Sequence, residues 1–302
     1  MTQPHTFPKI SIVVHLFNRE AYLRETLDSI LNQKYPNLEL IVIDDASTDK
    51  GWEILETYGK AIAYKERLTG SRTSPVEALN IGFSHSTGEI MTWINTKNIL
   101  FPKSLFVIAE VFSEMPEVKW LTGFGTMIDD DSRPLRVIRL YKHIYDYLRD
   151  SWEIIQQEST FWRRNLWTET GSRLEPEYPW SFDTTLWTKF FPVAKLYHVN
   201  TIIGAYRENA QSTSIRQRPV ILENTMRSLR ILQKNAPAKT KIEGVLYRVL
   251  RLGKPLLRNI PDSVYARIPL LNIFCYPCIQ FVPRDKQWKP AHSLKNPFRV
   301  TH

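Results

Sequence analysis

Three short polar segments stand where predicted strands end, and these are the places in the sequence best suited to hold a ligand. They comprise residues 15–19, 44–49 and 95–98. The sequence contains neither a P-loop nor a GxGxxG motif. A nucleotide can still bind where a carboxylate at a strand end accepts hydrogen bonds from its base or ribose, and Asp45 is placed to do so. We expect the neighbouring Asp44 to bond to nearby backbone instead.

Two further clusters contain residues of metal-ligand type, but their surroundings favour structural roles. Residues 129–131 are three adjacent aspartates followed by Ser-Arg-Pro, which is typical of a solvated turn. Cys275 and Cys278 form a CxxC with no second pair, and only His292 lies near them. We interpret these cysteines as small apolar residues of an apolar stretch.

The elements that position the polar segments alternate along the first part of the chain. Apolar, β-branched runs predict strands at 10–14, 38–43, 61–64 and 90–94. Amphipathic helix patterns lie between and after them, the first with Asn18 as its candidate N-cap. This alternation predicts an α/β fold with a doubly wound, mostly parallel sheet flanked by helices, which binds ligands beyond the carboxyl ends of its strands.

The later part of the chain has a different pattern and an uneven charge. Residues 120–140 predict a hairpin, 143–156 a helix, and the segment from about 217 a mostly helical extension interrupted by prolines. The net charge of +9 is concentrated at the end, because residues 234–302 contain thirteen Lys and Arg against three Asp and Glu. We therefore predict two parts, 1–216 as a catalytic domain and 217–302 as a helical, basic C-terminal extension.

Five segments of this sequence resemble family-2 glycosyltransferases, in the order in which that family has them. They are residues 10–19, 27–37, 40–49, 77–90 and 156–164. The resemblance covers residues 9 to about 215 and not the tail. It implies the nucleotide-sugar-binding fold of the first glycosyltransferase type. The signature and membrane helices of processive synthases are missing, so a non-processive enzyme of bacterial polysaccharide synthesis is expected.

The resemblance also implies which residues bind the donor. In this family the loop after the first strand and the acid after the second strand hold the nucleotide. Phe17 either stacks on the base or packs in the core. The predicted nucleotide-sugar site comprises His15, Phe17, Asp45, Arg72, Asn95 and Lys97.

The family's catalytic base is an Asp directly before a helix of Leu-Trp type, and Asp183 stands in that position here. An inverting transfer needs one carboxylate to take the proton of the acceptor hydroxyl while the sugar carbon is attacked from the opposite face. Asp before Thr-Thr-Leu-Trp is also good N-cap chemistry, and one residue can serve both roles. Glu158 is a rival base.

Four residues are candidates to contact the acceptor. Gln157 and Glu158 belong to the last family-like segment. Trp180 and Trp187 flank Asp183, and their faces suit sugar rings. Plain core packing of the two tryptophans is the alternative.

The sequence departs from the family where a divalent metal is usually held. The family has an acidic pair after the fourth strand and a His late in the domain, and it commonly uses Mg²⁺ or Mn²⁺. Here those ligand positions hold Lys97, Asn98 and Asn209. One hypothesis is a metal-independent transferase in which Lys97, helped by Arg72 or Arg207, neutralises the leaving diphosphate. The other is a degenerate family member that binds a nucleotide-sugar or a partner without transferring, with Lys97 on a solvated loop.

The expected function is therefore transfer of one sugar, with inversion, from a nucleotide-diphosphate sugar to a saccharide or lipid-linked acceptor. Uridine diphosphate is the nucleotide expected from the family. No apolar run is long enough to span a bilayer and the N-terminus lacks a signal-peptide pattern, so we expect a cytoplasmic protein. The basic tail predicts contact with the inner face of the membrane, or else a packed appendage with a solvated basic face. Nucleic acid is not expected as a partner.

Overall fold

The computed structural model describes residues 7–70, 75–139, 141–149, 155–209 and 216–290. Within these ranges the strands are numbered in chain order. They are β1 Ile10–Leu16, β2 Leu38–Asp44, β3 Tyr64–Arg67, β4 Ile90–Asn95, β5 Ile99–Leu100, β6 Trp120–Ile128, β7 Pro134–Ile138, β8 Thr160–Arg163, β9 Leu196–Ile202, β10 Gly204–Arg207, β11 Cys278–Val282 and β12 Gln287–Pro290.

The α-helices of the same ranges are likewise numbered in chain order. They are α1 Glu20–Leu31, α2 Gly51–Glu56, α3 Pro75–His85, α4 Ser104–Glu114, α5 Ile144–Tyr147, α6 Arg164–Glu169, α7 Phe182–Phe190, α8 Arg218–Asn235, α9 Ala238–Leu252, α10 Lys254–Leu257, α11 Asp262–Tyr265 and α12 Pro269–Asn272.

Nine strands form the sheet in the order β12-β11-β9-β6-β8-β4-β1-β2-β3, while β7 and β10 pair with β6, and β5 pairs with β10. Strands β4, β1, β2 and β3 are parallel, as are β6, β9 and β11, while β8 runs antiparallel between β4 and β6. The predicted doubly wound, largely parallel α/β sheet is therefore confirmed. The carboxyl ends of β1, β2 and β4 meet at one edge, because His15 pairs with both Ile43 and Asn95.

Alternating side chains of the buried strands build a separate core on each face of the sheet. Ile10, Ile12 and Val14 of β1 pack on one face against α1 and α4, whereas Val13 packs on the other. This second face carries four fully buried tryptophans that pack edge to face or stack on one another, namely Trp93, Trp120, Trp162 and Trp187. Aromatic side chains of this size supply much of the apolar area that stabilises the fold.

Some local predictions were wrong. The third strand lies at Tyr64–Arg67 and not at 61–64, because a 3-10 turn at Gly59–Ala61, with Gly59 at φ +50°, delays it. The helix predicted over 143–156 covers Ile144–Tyr147 in the described residues, and 150–154 lie outside them.

The extension shares the core of the preceding domain. Leu229, Tyr247 and Phe274 belong to the tryptophan-rich cluster. After its helices the chain adds β11 beside β9 and then the edge strand β12, two strands that the sequence did not predict. The boundary at 216 stays a prediction, and the two parts pack as neighbours on one sheet. Across the described residues, no helix combines the length and apolar character needed to cross a bilayer.

Candidate active site

A cavity of about 700 Å³ opens where β1 and β4 end. Its walls come from the loops after these two strands, from β6 and β7, from the 3-10 turn Gln157–Ser159, and from α7 and α8. This is the position at which doubly wound sheets bind ligands. Its volume lies within the range of roughly 300–1,000 Å³ that is usual for small-molecule sites.

Four of the predicted donor residues line this cavity together: His15, Phe17, Asn95 and Lys97. Phe17 faces the cavity and is half-buried, so of its two predicted positions the structure places it at the cavity wall. His15 and Asn95 are direct partners across β1 and β4. The fold thus brings residues separated by about 80 positions to one end of the cavity.

The remaining two donor predictions have different outcomes. Asp45 is fully buried, and its Oδ2 lies 3.3 Å from His15 Nε2, so the carboxylate lies behind the cavity wall and orients the His15 ring. Arg72 lies outside the described residues. Asp44 behaves as predicted, because its Oδ1 accepts a hydrogen bond from the Ser47 amide at 3.0 Å.

The loops after β1 and β2 hold each other in place. Asp49 Oδ2 accepts a hydrogen bond from the Glu20 amide at 2.9 Å, and Glu20 Oε2 accepts one from the Lys50 amide at 2.7 Å. Each loop therefore satisfies a free amide at the start of the other loop's helix. The prediction that Asn18 caps α1 was wrong, since Asn18 has φ +47° and its Oδ1 accepts from the Thr48 amide at 2.8 Å. The mutual bonds fix the entrance to the donor end of the cavity.

Lys97 occupies the position of the family's metal-binding acid. Its ammonium donates to the main-chain oxygen of Arg207 at 3.0 Å and to Tyr206 Oη at 3.3 Å, and it lies 4.4 Å from the centre of the Tyr206 ring. Lys97 and Tyr206 both line the cavity, so this positive charge lies at the cavity wall.

Arg207, by contrast, is a structural clamp. Its side chain is fully buried and donates to the main-chain oxygens of Lys97 (2.8 Å), Asp129 (2.7 Å) and Asp130 (2.9 Å), as well as to Glu25. The suggestion that Arg207 helps to neutralise the diphosphate was therefore wrong. Its guanidinium instead ties the loop after β4 to the β6–β7 turn.

Glu158 is a buried carboxylate in the cavity wall. Asn98 Nδ2 donates a hydrogen bond to Glu158 Oε1, while Asn98 Oδ1 accepts one from the Arg207 amide at 3.0 Å. Burial, with a smaller contribution from the charge of Asp183, raises the pKa of Glu158 to about 7, while a backbone hydrogen bond and the charge of Lys97 oppose the rise. A carboxylate with a pKa near 7 exchanges its proton close to neutral pH, and such perturbed groups are concentrated at functional sites.

Asp183 lies in the first turn of α7 and also lines the cavity. Ser181 is the N-cap residue of α7, so Asp183 does not occupy the alternative cap position. Asp183 Oδ1 accepts a hydrogen bond from the Thr184 amide at 2.7 Å. Burial raises the pKa of Asp183 to about 6, and the bond from Thr184 opposes that rise. The group is therefore mostly ionised at neutral pH and is a stronger base than an ordinary carboxylate.

The four predicted acceptor residues divide between the cavity and the core. Gln157 and Glu158 line the cavity, and Gln157 Nε2 donates to the main-chain oxygen of Trp93. Trp180 is half-buried and lines the cavity near Asp183. Trp187 is fully buried and stacks at 6.0 Å on Trp93, so the structure places it in the core.

The residues at the family's metal positions do not fit a divalent cation. The Lys97 ammonium has no lone pair to offer, both ends of the Asn98 amide are bonded, and Asn209 Nδ2 donates to Asp130 Oδ1 at 2.9 Å. Residues 129–131 form the predicted turn, in which Asp129 Oδ1 accepts from the backbone at 2.8–2.9 Å. Among the described residues no group of three His, Cys, Asp or Glu could hold a metal ion.

Several cavity residues had no signal in the sequence. Arg136 of β7 pairs with Glu208 at 2.8 Å, and Arg218 begins α8. Lys142 and His198 meet inside the protein, where burial lowers the pKa of Lys142 to about 8 and that of His198 to about 4. These side chains come from a hairpin, a loop and the extension, so their convergence depends on the tertiary fold.

The α/β sheet, with a cavity at its strand ends lined by the buried Glu158 and the half-buried Asp183, matches the architecture expected of the first glycosyltransferase fold type. The profile of the family described as "Glycosyl transferase family 2" matches residues 11–172, more than half of the chain. The chain belongs to family 2 of the glycosyltransferases.

Individual relatives are distant. The uncharacterized glycosyltransferase RP339 of Rickettsia prowazekii is 24% identical over 216 residues, which is 68% of this chain and 66% of that protein. The match to another relative, from Rickettsia felis, covers 22% of that protein's length. The chain thus spans two thirds or less of several relatives.

Two solved structures share the fold. S. aureus TarS residues 1–349 in complex with UDP-GlcNAc has a TM-score of 0.65 at 17% identity, covering 86% of this chain and 76% of that one. The mannosyltransferase PcManGT from Pyrobaculum calidifontis, in complex with GDP-Man and Mn²⁺, has a TM-score of 0.52 at 17% identity, covering 83% and 82%.

Proposed function

We propose that this protein transfers one sugar from a nucleotide-diphosphate sugar, with UDP as the nucleotide, to a saccharide or lipid-linked acceptor with inversion. The observation that carries the proposal is that Asp183 and Glu158, two carboxylates with raised pKa values, line the same cavity as the strand-end residues His15 and Lys97. The UDP-GlcNAc complex of the TarS neighbour supports the choice of nucleotide.

Asp183 is the general base of this proposal. A base works best when its pKa lies near the operating pH, and a pKa of about 6 meets that condition while leaving the group ionised. Glu158 has the higher pKa of about 7 and is bonded to Asn98, so it holds a proton for a larger part of the time. Keeping Glu158 neutral lowers the repulsion between the two carboxylates and leaves the negative charge on Asp183.

Lys97 replaces the metal ion in this proposal. Its ammonium is fixed by the Arg207 carbonyl oxygen and the Tyr206 hydroxyl at the cavity wall. A fixed cation aimed at the leaving diphosphate stabilises the charge that develops on it. The donor set at the family's metal positions, an ammonium and two bonded amides, supports a metal-independent reaction.

The acceptor side of the cavity supports an acceptor with both polar and apolar parts. Ile138, Ile221 and Leu222 line it together with Trp180 and Gln157. We propose that the enzyme acts in bacterial polysaccharide synthesis, in the cytoplasm at the inner face of the cell membrane. Sugar rings would stack on Trp180, as aromatic faces suit their C–H groups.

The second candidate function is binding of a nucleotide-sugar or a partner without transfer. The replacement of the family's acidic residue by Lys97 favours it, because loss of the metal site is one route to an inactive member. The two candidates differ in turnover and not in donor binding. In the inactive protein no donor would be hydrolysed, either by the parent or by Asp183→Asn.

The test is turnover across a panel of nucleotide-sugars, including slow donor hydrolysis, with EDTA and with Mn²⁺. We expect activity that persists in EDTA and is lost in Asp183→Asn. Activity that requires Mn²⁺ would overturn the metal-independent reaction. Donor binding by calorimetry with no hydrolysis for any member of the panel would favour the binding protein.

A further inference from the structure

The C-terminal extension carries a row of exposed aliphatic side chains, which we call the aliphatic ridge. It consists of Ile242, Val245, Val249, Leu252 and Leu256, whose exposed fractions lie between 56% and 84%. The spacing alternates between three and four residues, so on α9 the side chains fall on one helix face. Scattered exposed apolar residues are ordinary, whereas four on one face of α9, continued by Leu256 of α10, indicate an interaction surface.

The opposite face of α9 packs against the rest of the protein. Gly244 and Tyr247 are buried there, with Gly244 against Leu148 and Tyr247 Oη donating to Asp146 at 3.0 Å. The helix is therefore anchored in one rotational setting. That setting keeps the aliphatic ridge directed away from the protein.

The charges beside the ridge are almost all positive. Over residues 238–258 there are six basic residues and one acid, and the bases are Lys239, Lys241, Arg248, Arg251, Lys254 and Arg258. The single acid, Glu243, turns inward and accepts a hydrogen bond from Tyr145 Oη at 2.7 Å. Glu243 also lies 3.9 Å from the Lys239 ammonium, so the segment offers no acidic side chain to the other five bases.

We propose that the aliphatic ridge docks on an anionic lipid bilayer, with the aliphatic side chains among the acyl chains and the Lys and Arg side chains at the headgroups. A helix with one apolar face and basic flanks lies in the plane of such an interface. Each basic residue near an anionic surface adds to the attraction. A second copy of this chain fits less well, because its own ridge would bring six further bases against these.

The ridge is separate from the cavity. Helix α8 lines the cavity with Arg218, Ile221 and Leu222 near its N-terminus, whereas α9 follows its other end after a two-residue connection. The docking needs neither donor nor acceptor, so it can be tested apart from the proposed transfer.

The experiment is co-sedimentation of the full chain with phosphatidylcholine vesicles, with and without phosphatidylglycerol. We expect binding only to the anionic vesicles, weakened by salt. The double variant Val249→Ser/Leu252→Ser should lower binding by roughly ten-fold or more, because it removes two of the side chains that would be buried. The matched control, Leu135→Ser/Val137→Ser, changes one Leu and one Val that are also about half-exposed on β7 and should leave vesicle binding unaltered.

Three outcomes would overturn the proposal. Unchanged vesicle binding by the ridge variant, with native circular dichroism, would remove the ridge from the membrane contact. Equal loss in the control variant would show a nonspecific effect of exposed apolar residues. A change from dimer to monomer in the ridge variant, measured by sedimentation velocity without vesicles, would assign the ridge to an interface between copies.

Discussion

The side chains of Lys97 and Arg207 each donate a hydrogen bond to the main-chain oxygen of the other residue. The Lys97 ammonium donates to the Arg207 main-chain oxygen at 3.0 Å, and Arg207 Nε donates to the Lys97 main-chain oxygen at 2.8 Å. The sequence made both residues candidates to neutralise the leaving diphosphate, but the structure gives them different positions. Lys97 faces the cavity and Arg207 is enclosed behind it, so their substitutions should have separable effects.

Replacing Lys97 should impair the reaction and spare the fold. We expect Lys97→Met to lower kcat by about 10²–10³-fold, the usual loss for one fixed stabiliser of developing negative charge. Lys97→Arg keeps the charge and should retain more activity than the Met variant. The measurement is steady-state turnover in EDTA together with thermal melting, and an unchanged kcat in Lys97→Met would exclude Lys97 from catalysis.

Replacing Arg207 should lower the stability of the protein, because this side chain holds several loops together. Arg207→Gln leaves the Glu25 carboxylate and three main-chain oxygens without their guanidinium partner. We expect a loss of about 1–3 kcal/mol in the free energy of unfolding from the unsatisfied main-chain oxygens, because the Glu25 carboxylate is 42% exposed and water screens its ion pair. Urea denaturation measures it, and a loss below 1 kcal/mol would show that water replaces these bonds.

The proposed base predicts a pH profile. Asp183 must be ionised to accept a proton, and its pKa is about 6. The rate should therefore fall as pH drops through about 6, approaching ten-fold for each further unit. Asp183→Asn should lower the rate by about 10²–10⁴-fold, and the variant should no longer show the fall in rate below pH 6. A limb that persists in the Asn variant would assign the titration to another group, with Glu158 as the first to examine.

Glu158 predicts a pH dependence of stability with a definite sign. Its folded pKa of about 7 is above the unfolded value, so between pH 4.5 and 7 the folded state holds a proton that the unfolded state has lost. The free energy of unfolding should therefore decrease as pH rises across that window, by on the order of 3 kcal/mol from this group. Glu158→Gln should lack this slope and be more stable than the parent at pH 8.

The measurement for Glu158 is urea denaturation of parent and variant at several pH values between 5 and 8. Taking the difference between the two proteins cancels groups with the opposite slope, such as His198, whose pKa burial lowers to about 4. Parallel stability curves would contradict the raised pKa of Glu158.

Removal of the extension should prevent folding of the remainder. The deletion of residues 217–302 takes away β11 and β12 and both tyrosines that donate to the buried Asp146, Tyr247 and Tyr276. We expect an insoluble product, and losses of about 1–3 kcal/mol for Tyr247→Phe or Tyr276→Phe alone. A soluble fragment 1–216 with cooperative unfolding would instead support an autonomous catalytic domain.

Much of the fold followed from local pattern. The alternation of buried strands and amphipathic helices fixes a parallel sheet, because each element must bury its own apolar face. The polar segments after β1 and β4 then had to meet at one edge, as His15 and Asn95 do. The resemblance to the family similarly led to Asp183 and Glu158, which line one cavity.

The tertiary structure decided which of these side chains face the cavity and how they ionise. Asp45 and Trp187 are enclosed, and Arg207 became a clamp, because burial depends on elements distant in sequence. Gly204 allows β10 to pass directly over the Glu158 carbonyl, where a Cβ would collide. The raised pKa values of Glu158 and Asp183 follow from desolvation by packed neighbours, a property of the assembled interior that no local sequence pattern encodes.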